Sequence, residues 1–160
     1  MNELSQYKYR GARAMVLLHE QQLRGFLGVW RKAAGSGLTL PKTSDPAYAS
    51  METLLYHVLR AARGYMVWMA EMLGLPDPEI REVPPKEELV AQLDTYVEHL
   101  LGCWRAPLAN VEEDAFHKPE YASKWKVNYC IDAMLEHAVM HPIRHSFQLT
   151  ELMGERVPGE

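Results

Sequence analysis

Residues 130–153 read CIDAMLEHAVMHPIRHSFQLTELM and place His137, His141 and His145 at successive four-residue steps. The stretch predicts a helix that opens near Asn128, a good N-cap, carries Asp132 in its first turn and ends at Met153 before Gly154. On a helix each such step is about 6 Å of rise and about 40° of rotation, so the three imidazoles share one face. Two neighbours can converge on one ion. His137 and His145 stand about 12 Å apart along the axis, too far for both to bond an ion at ~2.1 Å while His141 does the same. One adjacent pair must act, either His137 with His141 or His141 with His145, and a third ligand must come from elsewhere.

Working outward, the punctuation predicts three more long helices. The first covers roughly 5 to 33, where Met15, Val16, Leu23, Phe26, Leu27 and Trp30 recur at helical steps and Gly35 and Gly37 suit a stop. The second opens after Asp45-Pro46 or after Ser50 and runs to Gly74, with a broad apolar stripe that includes Leu54, Leu55, Val58, Leu59 and Met66. The third begins at Pro84 and Pro85, has Glu87 and Glu88 against the positive end of its dipole, and ends or kinks at Pro107. The long connection VEEDAFHKPEYASKWKVN, residues 111–128, is polar and irregular, with an extended piece expected at Lys124 to Val127. The expected fold is all-α: a four-helix bundle with a long crossover connection, formed by residues 1–160 as one domain.

Composition narrows the function. Of 160 residues 48% are hydrophobic and 24% charged, and the net charge is −4, a balance that fits a globular chain and gives no electrostatic reason to expect nucleic acid or an anionic membrane. The N-terminal residues carry no uninterrupted apolar h-region and no stretch approaches the ~20 apolar residues of a membrane span, so a cytoplasmic protein is expected. Cys103 and Cys130 fall in different expected helices without CxxC spacing and read as reduced, buried core thiols.

The second helix holds one histidine, His57, in LLYHVLRAARGYMVWMAEMLG, residues 54–74. Among apolar neighbours an imidazole costs desolvation unless a hydrogen bond or a metal satisfies it, and with the histidine row of the last helix the metal reading is favoured. His19, His99 and His117 read as structural or solvent-exposed. The zinc-protease motif HExxH fails, because Ala138 and Pro142 stand where its glutamate would be; the ExxH pairs of di-iron bundles are missing from both helices. Three neutral imidazoles would leave the ion its full charge and at least one open position, an arrangement of catalytic style. No general base identifies itself: Glu136 points about 100° away from His137, and Cys130 lies about 16 Å along the axis from His141. Pro142 frees the carbonyl of Ala138 and reads first as a kink the helix tolerates; the functional alternative is that the kink aims His141 and His145 while a neighbour such as His137 satisfies that carbonyl. Tyr56, Tyr65, Trp68 and Met69 read as core before pocket wall.

A lone histidine early in the second helix and HAVMHPIRHSFQ at 137–148 resemble the DinB-like, or YfiT-like, family of small bacterial metalloproteins over nearly the whole chain. The resemblance implies His57, His141 and His145 as metal ligands, with His137 and Gln148 as accompanying residues beside the ligands. Arg144, where many members carry another histidine, and Pro142 depart from the pattern without removing a ligand. The expected ion is divalent, zinc or nickel, and since members resembling this chain include thiol-dependent transferases and isomerases, the resemblance implies a thiol-dependent S-transferase that uses a low-molecular-weight thiol as small-molecule cosubstrate. It also implies a link to stress responses and a homodimer. A metal-dependent hydrolase and a non-enzymatic metal- or ligand-binding module are the alternatives; imidazole ligands alone do not choose the metal.

Overall fold

The computed structural model describes residues 3–154. Helices dominate it. After a 3-10 turn at Glu3–Gln6, α1 spans Arg10–Gly35, α2 Met51–Met72, α3 Lys86–Trp104, the single turn α4 Asp114–His117, and α5 Ile131–Leu152; a second 3-10 turn, Pro46–Tyr48, precedes α2. The one sheet among the described residues is a hairpin of β1, Tyr121–Ala122, and β2, Asn128–Tyr129.

The helix ends follow their local chemistry. Gly37 (φ 74°) and Gly74 (φ 63°) take the left-handed conformation past α1 and α2. Each closes a double turn in which the next amide reaches back, Leu38 N–H to the Ala33 carbonyl at 3.3 Å and Leu75 N–H to Ala70 at 2.8 Å. Both expected starts of the second helix are used. Asp45 caps the 3-10 turn through the Ala47 amide at 2.9 Å, and Ser50 caps α2 through the Thr53 amide at 3.0 Å.

Elsewhere the structure redraws the expectation. The first helix starts at Arg10, and α5 starts at Ile131 behind Cys130, because Asn128 and Tyr129 are drawn into β2. Lys124 to Val127 is the hairpin turn, closed by Ser123 N–H to the Val127 carbonyl at 2.9 Å with Lys126 at φ 65°. Both cysteines are free and half-buried, not core; Cys130 Sγ caps α5 by accepting the Ala133 amide.

The buried apolar side chains of α1, α2, α3 and α5 form one continuous cluster, in which Phe26, Leu54, Leu59, Met66, Leu100 and Trp104 are almost without exposure. α1 lies along α5, and α2 packs on both α3 and α5. Ion pairs between α1 and the α3 end run Glu20–Arg105, Arg24–Glu98 and Arg31–Asp94, so the numbering rises on one helix as it falls on the other: the two are antiparallel. Exposed pairs of this kind contribute about 0–1 kcal/mol each and mark alignment more than they stabilise it. Tryptophan amines tie elements together, Trp30 donating to the Met51 carbonyl at 2.7 Å and Trp104 to Ala62 at 3.0 Å. Trp68 donates to Ala122 at 3.2 Å and so pins the hairpin beside α2 and α5. Among the described residues no helix is long and apolar enough to cross a membrane.

Candidate metal centre

His57 lies in the second turn of α2, and His141 and His145 lie one turn apart on α5. The two helices meet antiparallel: Tyr48, ahead of α2, reaches His145, His57 reaches His141, and Tyr65 meets both His141 and His137. That register sets His57 opposite the later pair of the histidine row. One ring nitrogen from each of His57, His141 and His145 lies within 4.8 Å of the others. The Nε2 atoms of His57 and His141 are 3.1 Å apart. Two nitrogens bonded to one ion at about 2.1 Å in cis or tetrahedral positions stand about 3.0–3.4 Å apart, so this pair already has the spacing a shared ion requires.

Burial prepares the donors. His141 and His145 are each 5% exposed, and desolvation is the leading reason that His141 is pushed down to about 2 and His145 to about 4, with the neighbouring histidines and Arg144 adding to it. His57 is lowered for the same first reason. All three are therefore neutral at ordinary pH, and neutral imidazole is the form that ligates. A cluster of buried lone pairs without cationic character is satisfied by a divalent cation; the residues fit one.

A further layer holds His145. The Tyr48 hydroxyl is 3.0 Å from His145 Nδ1 and donates its proton to Gln148 Oε1. With that proton spent on Gln148, the hydroxyl oxygen can only accept from His145, which makes Nδ1 the protonated nitrogen and leaves the Nε2 lone pair for a metal. Gln148 thus stands beside the triad, bonded to the Tyr48 hydroxyl. Tyr48 lies 97 residues from His145 in a three-residue turn, and nothing in its local sequence points to the site.

The triad opens on a cavity of about 930 Å³, within the roughly 300–1,000 Å³ usual for small-molecule pockets. Tyr65, Trp68 and Trp125 form aromatic wall; Tyr65 and Trp68 are buried as expected of core residues and line the cavity as well. Met69 is wholly core. His137 lines the cavity outside the triad. Its ring stacks on Trp125 (centroids 5.2 Å, 28° between planes) and meets the edges of Tyr65 and Tyr129, and it makes no hydrogen bond among the described residues. Desolvation, then Arg144, lowers its pKa. His19 is buried against Trp104, His99 accepts the Arg81 amide, and His117 is exposed near Glu113 and Asp132, so none of these joins the centre. Glu136 is exposed.

No family model, curated protein or solved structure matches the chain. The chemistry of the site rests on its own residues.

Proposed function

We propose that this chain is a metal-dependent enzyme built as a DinB-like four-helix bundle with a long crossover between its third and last long helices. In this reading His57, His141 and His145 hold one divalent ion, zinc or nickel, and the reaction is S-transfer with a low-molecular-weight thiol as cosubstrate. The observation that carries it is the convergence of three neutral imidazoles at the wall of an open cavity large enough for a cosubstrate. When bound, the ion supplies Lewis acidity, which favours the thiolate over the thiol at neutral pH. The chain's own residues do the rest. Tyr48 and Gln148 fix the tautomer of His145, and Tyr65, Trp68 and Trp125 give the acceptor an aromatic surface to lie against.

Hydrolysis is the second reading, favoured by His137: a neutral imidazole without a hydrogen-bond partner, in the same cavity, is suited to take a proton from water. A binding module with a closed coordination shell is less consistent with so open a cavity.

Elemental analysis of the purified wild type beside His57→Ala and His145→Ala tests the centre. One equivalent of metal is expected in the wild type and a small fraction of that in either variant; undiminished metal in the variants overturns the site. Metal-loaded protein that neither binds nor turns over any small thiol, while hydrolysing activated esters with an activity lost in His137→Ala, replaces the transferase by the hydrolase.

A further inference from the structure

Three cations around the cavity have no partner among the described residues. Arg60 follows His57 by three residues on α2, Arg144 precedes His145 on α5, and Lys124 stands in the hairpin turn. None of the three makes a hydrogen bond or ion pair among the described residues. Arg63, the fourth cation of the lining, is different: it is held by Glu82 at 2.9 Å and by the Ile80 carbonyl at 2.9 Å. With Glu82 so engaged, Asp45 is the other carboxylate of the lining, and one of its oxygens already accepts the Ala47 amide.

This arrangement runs against the chain's overall balance. The protein carries a net charge of −4, yet the cavity lining has four cations against two carboxylates. Arginine has alternatives on such a surface; Arg24 and Arg31 of α1 pair with Glu98 and Asp94, and Arg105, just past α3, pairs with Glu20. Placing unpaired arginines beside a site for a divalent cation raises the local positive charge, since the three imidazoles are neutral and bring none of their own to offset it. An anion in the cavity removes the imbalance.

We propose that Arg60 and Arg144, with Lys124 from the hairpin, form an oxyanion subsite that binds a carboxylate or phosphate group of a small substrate and sets its apolar body against Tyr65 and Trp125. Guanidinium forks from two helices suit the planar carboxylate and the phosphate alike, and charge-assisted bonds of this kind are about twice as strong as neutral ones. Aromatic walls flanked by cations select an amphipathic anion over a free inorganic one. The inference rests on the reading of the cavity as a substrate site, and it assigns the substrate class that the triad leaves open.

The test is calorimetric titration of benzoate, phenyl phosphate and the neutral benzyl alcohol into wild type, Arg60→Gln, Arg144→Gln and the double variant, each with and without metal. Both arginines are exposed, so the variants are expected to fold, and unchanged metal content serves as the check. Benzoate or phenyl phosphate should bind saturably to the wild type, about tenfold more weakly to each single variant and more weakly still to the double one, with benzyl alcohol much weaker throughout. The better of the two anions names the group. Equal affinity for benzyl alcohol, no saturable anion binding at millimolar concentration, or anion binding unchanged in the double variant overturns the subsite. Anion binding lost on removing metal but kept in the double variant assigns the anion to the ion itself, which rejects the subsite and leaves the metal centre standing. Arginine-dependent binding to a protein that takes up no metal does the reverse.

Discussion

Tyr48 and His19 are two polar side chains with opposite fates. The Tyr48 hydroxyl spends its proton on Gln148 and accepts one from His145, so its removal frees the imidazole to turn and to adopt the wrong tautomer. Tyr48→Phe should therefore weaken metal binding about tenfold or more while the fold persists, as seen by competition with a chromogenic chelator. Unchanged affinity would mean that packing alone orients His145. His19 has no such partner. It is 1% exposed, stacked on Trp104 with 3.7 Å between centroids, and neither ring nitrogen has a hydrogen-bond partner among the described residues. Desolvation lowers its pKa to about 3. The sign follows: above the unfolded value near 6.5 both states are neutral, and as pH falls from there towards 3 the unfolded chain takes a proton that the folded one refuses, so stability drops by about 1.4 kcal/mol per pH unit. In metal-free protein, His19→Leu should lose about 2 kcal/mol less than the wild type between pH 7 and pH 5 by urea unfolding. Parallel losses in both proteins would place the acid sensitivity elsewhere.

At the scale of elements, periodicity and punctuation made the four long helices legible, because each buries a broad stripe and has Ser, Pro or Gly at one end at least, as at Gly37 after α1, Ser50 and Gly74 around α2, Pro85 before α3 and Gly154 after α5. The hairpin was displaced for an equally physical reason. Strands of two residues carry no period, and their place is set by pairing, here Tyr121 with Tyr129 and Ala122 with Asn128. Pro142 was legible as an oddity that the helix tolerates. The helix runs through it without interruption from Ile131 to Leu152. Ser146 Oγ donates to the Pro142 carbonyl at 2.8 Å and Thr150 Oγ1 to Ser146 at 2.8 Å, back-bonds of the kind that accommodate a locally altered helix. His137, expected to satisfy the carbonyl of Ala138, makes no such bond among the described residues and is turned to Trp125 instead.

At the scale of the whole molecule, the proposed ion ties α2 to α5, helices that meet across 84 residues of chain. A ligand that binds only the folded state stabilises it by mass action, about 2.7 kcal/mol at a hundredfold excess over Kd. For a chain of this length that corresponds to about 5–10 °C in Tm. Chelation should lower the melting temperature by that much and re-addition of zinc or nickel should restore it, whereas His57→Ala should melt at one temperature in either condition. The same metal-dependent shift in His57→Ala would show that the ion does not bridge the two helices. The sequence by itself determined that the chain is helical and that α5 could offer an ion only one adjacent histidine pair, because spacing along one helix is fixed by its own 3.6-residue turn. The tertiary structure set His57 against His141 and His145, sent His137 to the aromatic wall, and brought Tyr48, Arg60 and Lys124 to the same cavity. Those meetings depend on how α2, α5 and the hairpin pack across long separations, which no local spacing encodes.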